Sequence, residues 1–226
     1  MNIQVIIPAA GSGKRFGGKK QFLSLWDKPV LLHSLECFEK SSQVTGVIVV
    51  TSEDEIDLVQ TLIQRSGLKK VHAVIPGGKE RQDSVRLGFY QAPLCDMVLV
   101  HDAARPFVSL EMIDRLVQGV QEVGAAVVGI PVKDTLKNVA GGLVKETVDR
   151  NPLWSIQTPQ AIRYDIFKKA VELSQKENFL GTDESMLVEK AGFPVKIVMG
   201  SAYNFKITTP EDLAIAEALK GVLCTR

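Results

Sequence analysis

Short apolar runs rich in Val and Ile alternate along this chain with longer stretches in which apolar residues recur every three or four positions. Runs of the first kind suit strands covered on both faces, and stretches of the second kind suit helices laid over them. The alternation therefore predicts an α/β fold with a mostly parallel sheet built from βαβ units. Strands are predicted at Ile3 to Pro8, Val47 to Thr51, Val71 to Ile75, Met97 to His101, Ala125 to Ile130 and Val195 to Met199. Helices are predicted over Val30 to Glu39, Glu53 to Gln64, Gln82 to Gln91, Leu110 to Val123, Tyr164 to Gln175, Glu184 to Ala191 and Pro210 to Leu219. The last has a capped, proline-led start in Thr209, Pro210 and Asp212.

The stretch from Val132 to Ala161 breaks the alternation. Gly141 and Gly142 sit between two short alternating segments, which predicts a hairpin with extended flanks, an arm at about 132–161 inserted into one domain spanning 1–226. Leu143, Val144, Val148, Leu153 and Trp154 give the arm apolar surface but too little core to stand alone. It gains by packing on a twofold-related copy or by folding back on its own subunit, and a homodimer is the simpler expectation.

Composition narrows the picture. Apolar residues are 45% and charged residues 23%, values of a chain that buries a core and is not disordered. With 27 basic and 26 acidic side chains the net charge is +1, so no global field favours nucleic acid or an anionic membrane, and any anion site has to be local. Cys37, Cys95 and Cys224 are odd in number and widely spaced, which fits a reducing compartment better than a disulfide framework or a zinc site. The start MNIQVIIPAAG lacks the pattern of a signal peptide and no apolar run approaches the length of a bilayer span, so a cytoplasmic protein is expected.

Candidate chemistry lies where predicted strands end. The first runs into Pro8, Ala9, Ala10, Gly11, Ser12, Gly13, Lys14, Arg15, Phe16, Gly17, Gly18, Lys19 and Lys20. Small residues let a ligand approach the backbone, amides cradle phosphate oxygens, and the four cations add charge. Phe16 breaks a GxGxxG frame and no GxxxxGK[ST] frame is present, which argues against hydride transfer and against a P-loop. A second turn, Pro76 to Ser84, opens a helix; the amides of Gly78 and Lys79 with the Ser84 hydroxyl suit a base edge, or serve only as a helix start. Asp102, at the end of the fourth strand, needs a cation: Mg²⁺ on phosphates, or Arg105 three residues on. His101 beside it is expected to bond locally and to have no catalytic role. Thr182 before Asp183 and Glu184 serves either as a helix cap or in a site, and Lys206 on an alternating segment faces either solvent or a phosphoryl group.

Taken in order, PAAGSGKRFGGKKQF, PGGKERQDSV, VHDAARPF, PVKDTLK, TVDRNPLWSIQTPQ, GTDESMLVE and NFKITTPEDL resemble the 2-C-methyl-D-erythritol 4-phosphate cytidylyltransferase family over essentially the whole chain. The resemblance implies a Rossmann-like nucleotidyltransferase fold with helices on both faces of the sheet and an extended β-arm used in dimerisation. It implies transfer of CMP from CTP to methylerythritol phosphate with a divalent cation, Mg²⁺, on Asp102. By the same carry-over, Pro8, Ala9, Ala10, Gly11, Gly13, Asp102 and Ala103 meet the nucleotide, and Gly78, Lys79 and Ser84 read its base. Arg15, Lys20 and Lys206 are implied as the catalytic cations. Arg105, Thr158, Thr182 and Asp183 are implied at the polyol phosphate, with Thr135 and Arg150 reaching it from the arm of the other subunit. Two departures from related patterns stand out: Lys79 replaces an acidic residue of some relatives, and Asn204 stands where sugar nucleotidyltransferases often carry a second acidic metal ligand. Ribitol-5-phosphate cytidylyltransferases share much of this but usually read LAGG in the first loop and lack the TVDRNxLW run. A nucleotide-binding regulator without activity would not need Arg15, Lys20, Asp102, Arg150 and Lys206 together.

Overall fold

The computed structural model describes residues 1–11 and 16–223. In chain order the elements are β1 (Ile3–Pro8), a two-strand turn β2 (Ser24–Leu25) and β3 (Lys28–Pro29), α1 (Val30–Lys40), β4 (Gly46–Thr51), α2 (Ile56–Arg65) and β5 (Val71–Pro76). There follow α3 (Arg81–Gln91), β6 (Met97–Val100), α4 (Leu110–Val123), β7 (Ala125–Pro131), β8 (Leu136–Ala140), β9 (Leu143–Val148) and β10 (Trp154–Arg163). The chain closes with α5 (Tyr164–Lys176), α6 (Glu184–Lys190), β11 (Lys196–Met199), α7 (Pro210–Ala218) and α8 (Lys220–Leu223).

Seven strands form one sheet in the order β11-β7-β10-β6-β1-β4-β5. All neighbours pair in parallel except β10, which runs antiparallel to both β6 and β7. Alternation along β1 sends Ile3, Val5 and Ile7 into one apolar cluster with Leu31, Leu35 and Phe38 of α1 and Ile113 and Leu116 of α4. Ile6 goes to the opposite cluster with Phe89 of α3, Phe167 of α5 and Val188 of α6. Helices thus cover both faces, as the continuous Val and Ile runs require. Helix ends follow local chemistry: Ser109 accepts from the Met112 amide at the start of α4, and Gly124 ends that helix at φ 93°, where a side chain would be strained.

Chain connections leave β1 toward β4 and β5, and leave β6 toward β7 on the other side. The carboxyl ends of β1 and β6 therefore flank the point where strand order reverses, the place where open α/β sheets leave a crevice for a ligand.

The largest departure from the sequence-based expectation is β10. The predicted arm included everything to Ala161, but from Trp154 onward the chain is a strand of the central sheet. Pro159 and the polar Gln157, Thr158 and Gln160 hide it, since proline in a run argues against an interior strand. A register shift between Ile156 and Gln160 accommodates the proline against β7, and the polar side chains are buried because they find partners. The arm proper is the separate β8–β9 sheet, turned by Gly141 and Gly142 at φ 59° and 78°. Val139, Leu143 and Val144 on it are exposed in the single chain.

Candidate functional site

Two glycine-bearing turns meet over the crevice. After β1 the Ala9 amide donates to the Val50 carbonyl at 2.6 Å, and buried Gln21 donates to the Ala9 carbonyl at 2.8 Å, so the start of the first turn is pinned from two sides. After β5 the Gly77 amide donates to the Thr51 carbonyl at 2.7 Å. A Cβ on Gly77 would lie 2.6 Å from the Ala10 methyl, and one on Gly78 would lie 2.3 Å from the Asp83 Cβ, so both glycines are needed for the close approach. The Gly78 amide donates to the Ser84 hydroxyl, and Ser84 in turn donates to the Glu80 carbonyl. Ser84 thus shapes its own turn, while Glu80 and Asp83 form a capping box at the start of α3.

A cavity of about 320 Å³ opens between these turns, and Pro8, Ala9, Ala10, Gly11, Lys20, Gly78, Lys79, Ser84, Asp102, Ala103 and Lys206 all line it. The candidate residues Gly13 and Arg15 lie outside the described residues. Lys19, next to Lys20, pairs with Asp54 at 2.8 Å and with buried Glu55 at 2.7 Å, and Glu55 also accepts the Thr51 hydroxyl at 2.7 Å. This ties the segment carrying Lys20 to the end of β4.

A second cavity of about 390 Å³ adjoins the first and is lined by Arg105, Thr158, Thr182 and Asp183 among others. Arg81, Asp102 and Lys206 line both, forming the wall they share. Thr135 and Arg150 lie on exposed backbone at the arm and line neither cavity; the Arg150 guanidinium donates to the Lys133 carbonyl.

The shared wall is an ion cluster. Asp102 Oδ1 accepts from Arg81 Nε at 2.9 Å and Oδ2 from Lys206 Nζ at 2.8 Å, while Arg105 Nε stands 3.8 Å away. Of the two partners the sequence offered for Asp102, the local cation Arg105 is the most distant of three. Burial alone would raise the Asp102 pKa, but Arg81, Lys206 and Arg105 outweigh it and hold the carboxylate well below its usual range. The remaining Arg81 nitrogens grip buried Glu184 at the start of α6, Nη1 at 2.7 Å and Nη2 at 3.1 Å. Burial pushes the Glu184 carboxyl upward and the charge of Arg81 opposes it, with a net rise. Burial likewise disfavours the charge on Arg81, and Glu184 and Asp102 more than restore it.

Behind Asp102, His101 is fully buried. Its Nε2 lies 3.0 Å from the Arg105 carbonyl, which can only accept, so Nε2 carries the proton. Nδ1 then accepts from the Thr158 hydroxyl at 3.1 Å, and the Thr158 oxygen accepts the Asp102 amide at 3.0 Å. His101 therefore fixes the backbone at Asp102 through Thr158, in keeping with the local role expected for it. Asn204, also buried, donates to the Thr158 carbonyl and to Gln157, and so supports β10 rather than joining Asp102.

Three residues of the site carry no signal of their own in the sequence. Arg81 stands inside the PGGKERQDSV motif, in which the glycines and serine are the residues that signal a ligand turn; Glu184 has the pattern of an ordinary first-turn helix residue. Gln160, 1% exposed, accepts the Ser185 amide and donates to Asp183, fastening the start of α6 to β10. Only its place between an apolar strand half and a proline could have hinted at burial.

Among the described residues no group of three or more His, Cys, Asp or Glu side chains could hold a metal unaided. A lone carboxylate with lone pairs left beyond its two close contacts does suit Mg²⁺ that arrives on phosphate oxygens and keeps water ligands.

A family model described as 2-C-methyl-D-erythritol 4-phosphate cytidylyltransferase matches residues 3–221. Proteins of that name from Lysinibacillus sphaericus and Halalkalibacterium halodurans are 46% and 45% identical over 221 residues, with 97% of this chain covered in each case and 96% and 97% of the relative. The crystal structure of the protein of the same name from Thermus thermophilus superposes with a TM-score of 0.80 at 34% identity, covering 97% of this chain and 98% of that one. A 4-diphosphocytidyl-2C-methyl-D-erythritol synthase from Anaerococcus prevotii gives 0.85 at 28% identity, with 97% and 96% covered.

Proposed function

The chain belongs to the 2-C-methyl-D-erythritol 4-phosphate cytidylyltransferase family, and from that premise we propose that its first cavity takes CTP and its second the polyol phosphate, with transfer occurring at the wall between them. The enzyme moves CMP from CTP to 2-C-methyl-D-erythritol 4-phosphate and releases diphosphate. The observation that carries the assignment of the cavities is that two adjoining spaces share Arg81, Asp102 and Lys206, so one set of charges reaches both reactants.

An oxygen of the acceptor phosphate forms a bond to the CTP α-phosphorus while the bond from that phosphorus to the bridging oxygen breaks, and diphosphate leaves with the electron pair. No side chain needs to become covalently attached, so the work is positioning and charge stabilisation. Lys20 and Arg15 hold the triphosphate oxygens from the first turn, and Lys206 meets the α-phosphate from the opposite side. The turn of Gly78, Lys79 and Ser84 reads the cytosine; because the Gly78 amide is spent on Ser84, the Lys79 backbone carries most of that contact, which makes its side-chain identity secondary. Asp102 would hold Mg²⁺ together with phosphate oxygens; bound there, the ion offsets charge on the triphosphate and on the departing diphosphate. Arg105, Thr158, Thr182 and Asp183 line the acceptor side.

The arm, exposed in one chain, reaches a second copy, and the homodimer brings Thr135 and Arg150 of each arm to the other subunit's acceptor cavity. Support comes from the exposed apolar residues of the arm and from the absence of Thr135 and Arg150 from either cavity lining. No helix among the described residues is long and apolar enough to cross a membrane, and with the near-neutral charge and free Cys37 and Cys95 the cytoplasm is the fitting compartment.

The test is diphosphate release from CTP and Mg²⁺ with methylerythritol 4-phosphate or ribitol 5-phosphate at equal concentration. Strong preference for the first is expected, in line with the relatives' name; preference for the second would reassign the acceptor cavity, and no release with either would overturn the reading of both cavities.

A further inference from the structure

Lys206, the cation proposed at the α-phosphate, is held by its contact to Asp102 Oδ2. A carboxylate on its own turns readily about its last torsion. Here Oδ1 is gripped by Arg81 Nε, so the turn is blocked and Oδ2 is presented to Lys206. Arg81 would itself be a long, adaptable side chain, but both of its terminal nitrogens are taken by Glu184 in a bidentate contact, and the Glu184 side chain is only 2% exposed. Glu184 lines neither cavity, so nothing about substrate contact accounts for a buried carboxylate at this place. Burial of such a charge is costly unless the partner geometry is fixed.

We propose that Glu184 and Arg81 are positioning residues for the transfer step, acting in series through Asp102 to set the Lys206 ammonium at the boundary of the two cavities. The relay also joins the turn that reads the base, which Arg81 follows directly, to the turn of Thr182 and Asp183 on the acceptor side. It rests on the assignment of the cavities to CTP and the polyol phosphate.

Glu184→Gln keeps the shape of the side chain and removes half of the bidentate grip. It is expected to lower kcat for diphosphate release by about 10- to 100-fold, the effect of loosening a supporting contact by a fraction of an ångström to an ångström. The KM for CTP should stay within about threefold, because the backbone of Gly78 and Lys79 and the cations of the first turn, which are assigned most of the base and triphosphate contacts, lie outside the relay. The decisive comparison is made in a Lys206→Met background: a relay ending at Lys206 predicts that adding Glu184→Gln there lowers kcat by no more than about twofold. A full 10- to 100-fold further loss in that background would overturn the proposal, as would an unchanged kcat for folded Glu184→Gln. If that variant does not fold, Arg81→Lys, which keeps the charge and loses the fork, is put through the same comparison, and the paired Arg81→Met/Glu184→Met variant should fold but remain as slow as Lys206→Met. Wild-type turnover in the same assay separates the two levels: an active wild type with multiplicative losses sinks the relay alone, whereas an inactive wild type sinks it together with the cavity assignment.

Discussion

Acidification should weaken this protein through one buried ring. His101 has no exposed surface, its Nε2–H donates to a carbonyl, and its Nδ1 accepts from Thr158, so the neutral form satisfies every partner and the charged form satisfies fewer. Burial is the largest influence and lowers the His101 pKa from 6.5 to about 4. The unfolded chain takes up a proton near pH 6.5 and the folded chain does not until about pH 4, so stability is full above the first value and falls as pH drops toward the second. That difference is worth about 3 kcal/mol at its limit, and about 2 kcal/mol between pH 7 and pH 5. The assay is urea unfolding at those two pH values for the wild type and for His101→Gln, which retains a donor and an acceptor but cannot charge. His33, also lowered by burial, and Glu184, raised and therefore opposite in sign, are common to both proteins and cancel in the comparison. Asp102 is depressed, so its contribution is lost only as pH falls below the ordinary carboxylate value near about 4. The wild type should lose about 2 kcal/mol more than the variant; parallel losses would show that His101 is not held neutral by its surroundings.

Three further outcomes follow from the site. Gly77→Ala puts a methyl 2.6 Å from the Ala10 Cβ and should cost about 1–3 kcal/mol and raise the KM for CTP; unchanged values in urea unfolding and steady-state assays would mean that the two turns part easily. Glu55→Gln removes the charge that holds Lys19, beside Lys20, and should cost about 1–3 kcal/mol by unfolding and slow diphosphate release, whereas a variant as fast and as stable as wild type would show that the tether does not position Lys20. Arg150→Ala should raise the KM for the polyol phosphate by about 10- to 100-fold while CTP affinity by calorimetry holds within about twofold. Mixing it with Lys20→Ala subunits should restore part of the activity if arms are exchanged, and loss of CTP binding in Arg150→Ala would contradict its assignment to the acceptor.

What could be read from the residues alone had local causes. Parallel strands buried on both faces announce themselves as Val and Ile runs, and helices Leu110–Val123 and Pro210–Ala218 begin at Ser109 and Thr209 because each side chain accepts a backbone amide. The two glycine turns were legible for the same reason, since close backbone approach demands small residues wherever it occurs. The helix predicted over Glu53 to Gln64 differs mainly at its start, where a tight turn over Glu53–Glu55 precedes the α-helix Ile56–Arg65. The ion cluster was not legible, because Arg81, Asp102, Glu184 and Lys206 come from four separated segments and no spacing rule joins them. Strand Trp154–Arg163 escaped for a different reason: its buried polar residues are tolerated only through partners such as Ser185, Ser201 and Asn204, which lie far along the chain.

The antiparallel course of β10 bears on the order in which the molecule can be assembled as it is synthesised. Strands β1, β4, β5 and β6 emerge early and can pair with one another, whereas the sheet neighbours of β7 are β10 and β11, both made after it. β10 links β7 to β6, and it carries Gln157, Thr158 and Gln160 into the second cavity. A nascent chain halted before Trp154 therefore holds both glycine turns but has neither a complete sheet nor one wall of the second cavity, and it presents the bare edge of β6 to any passing strand.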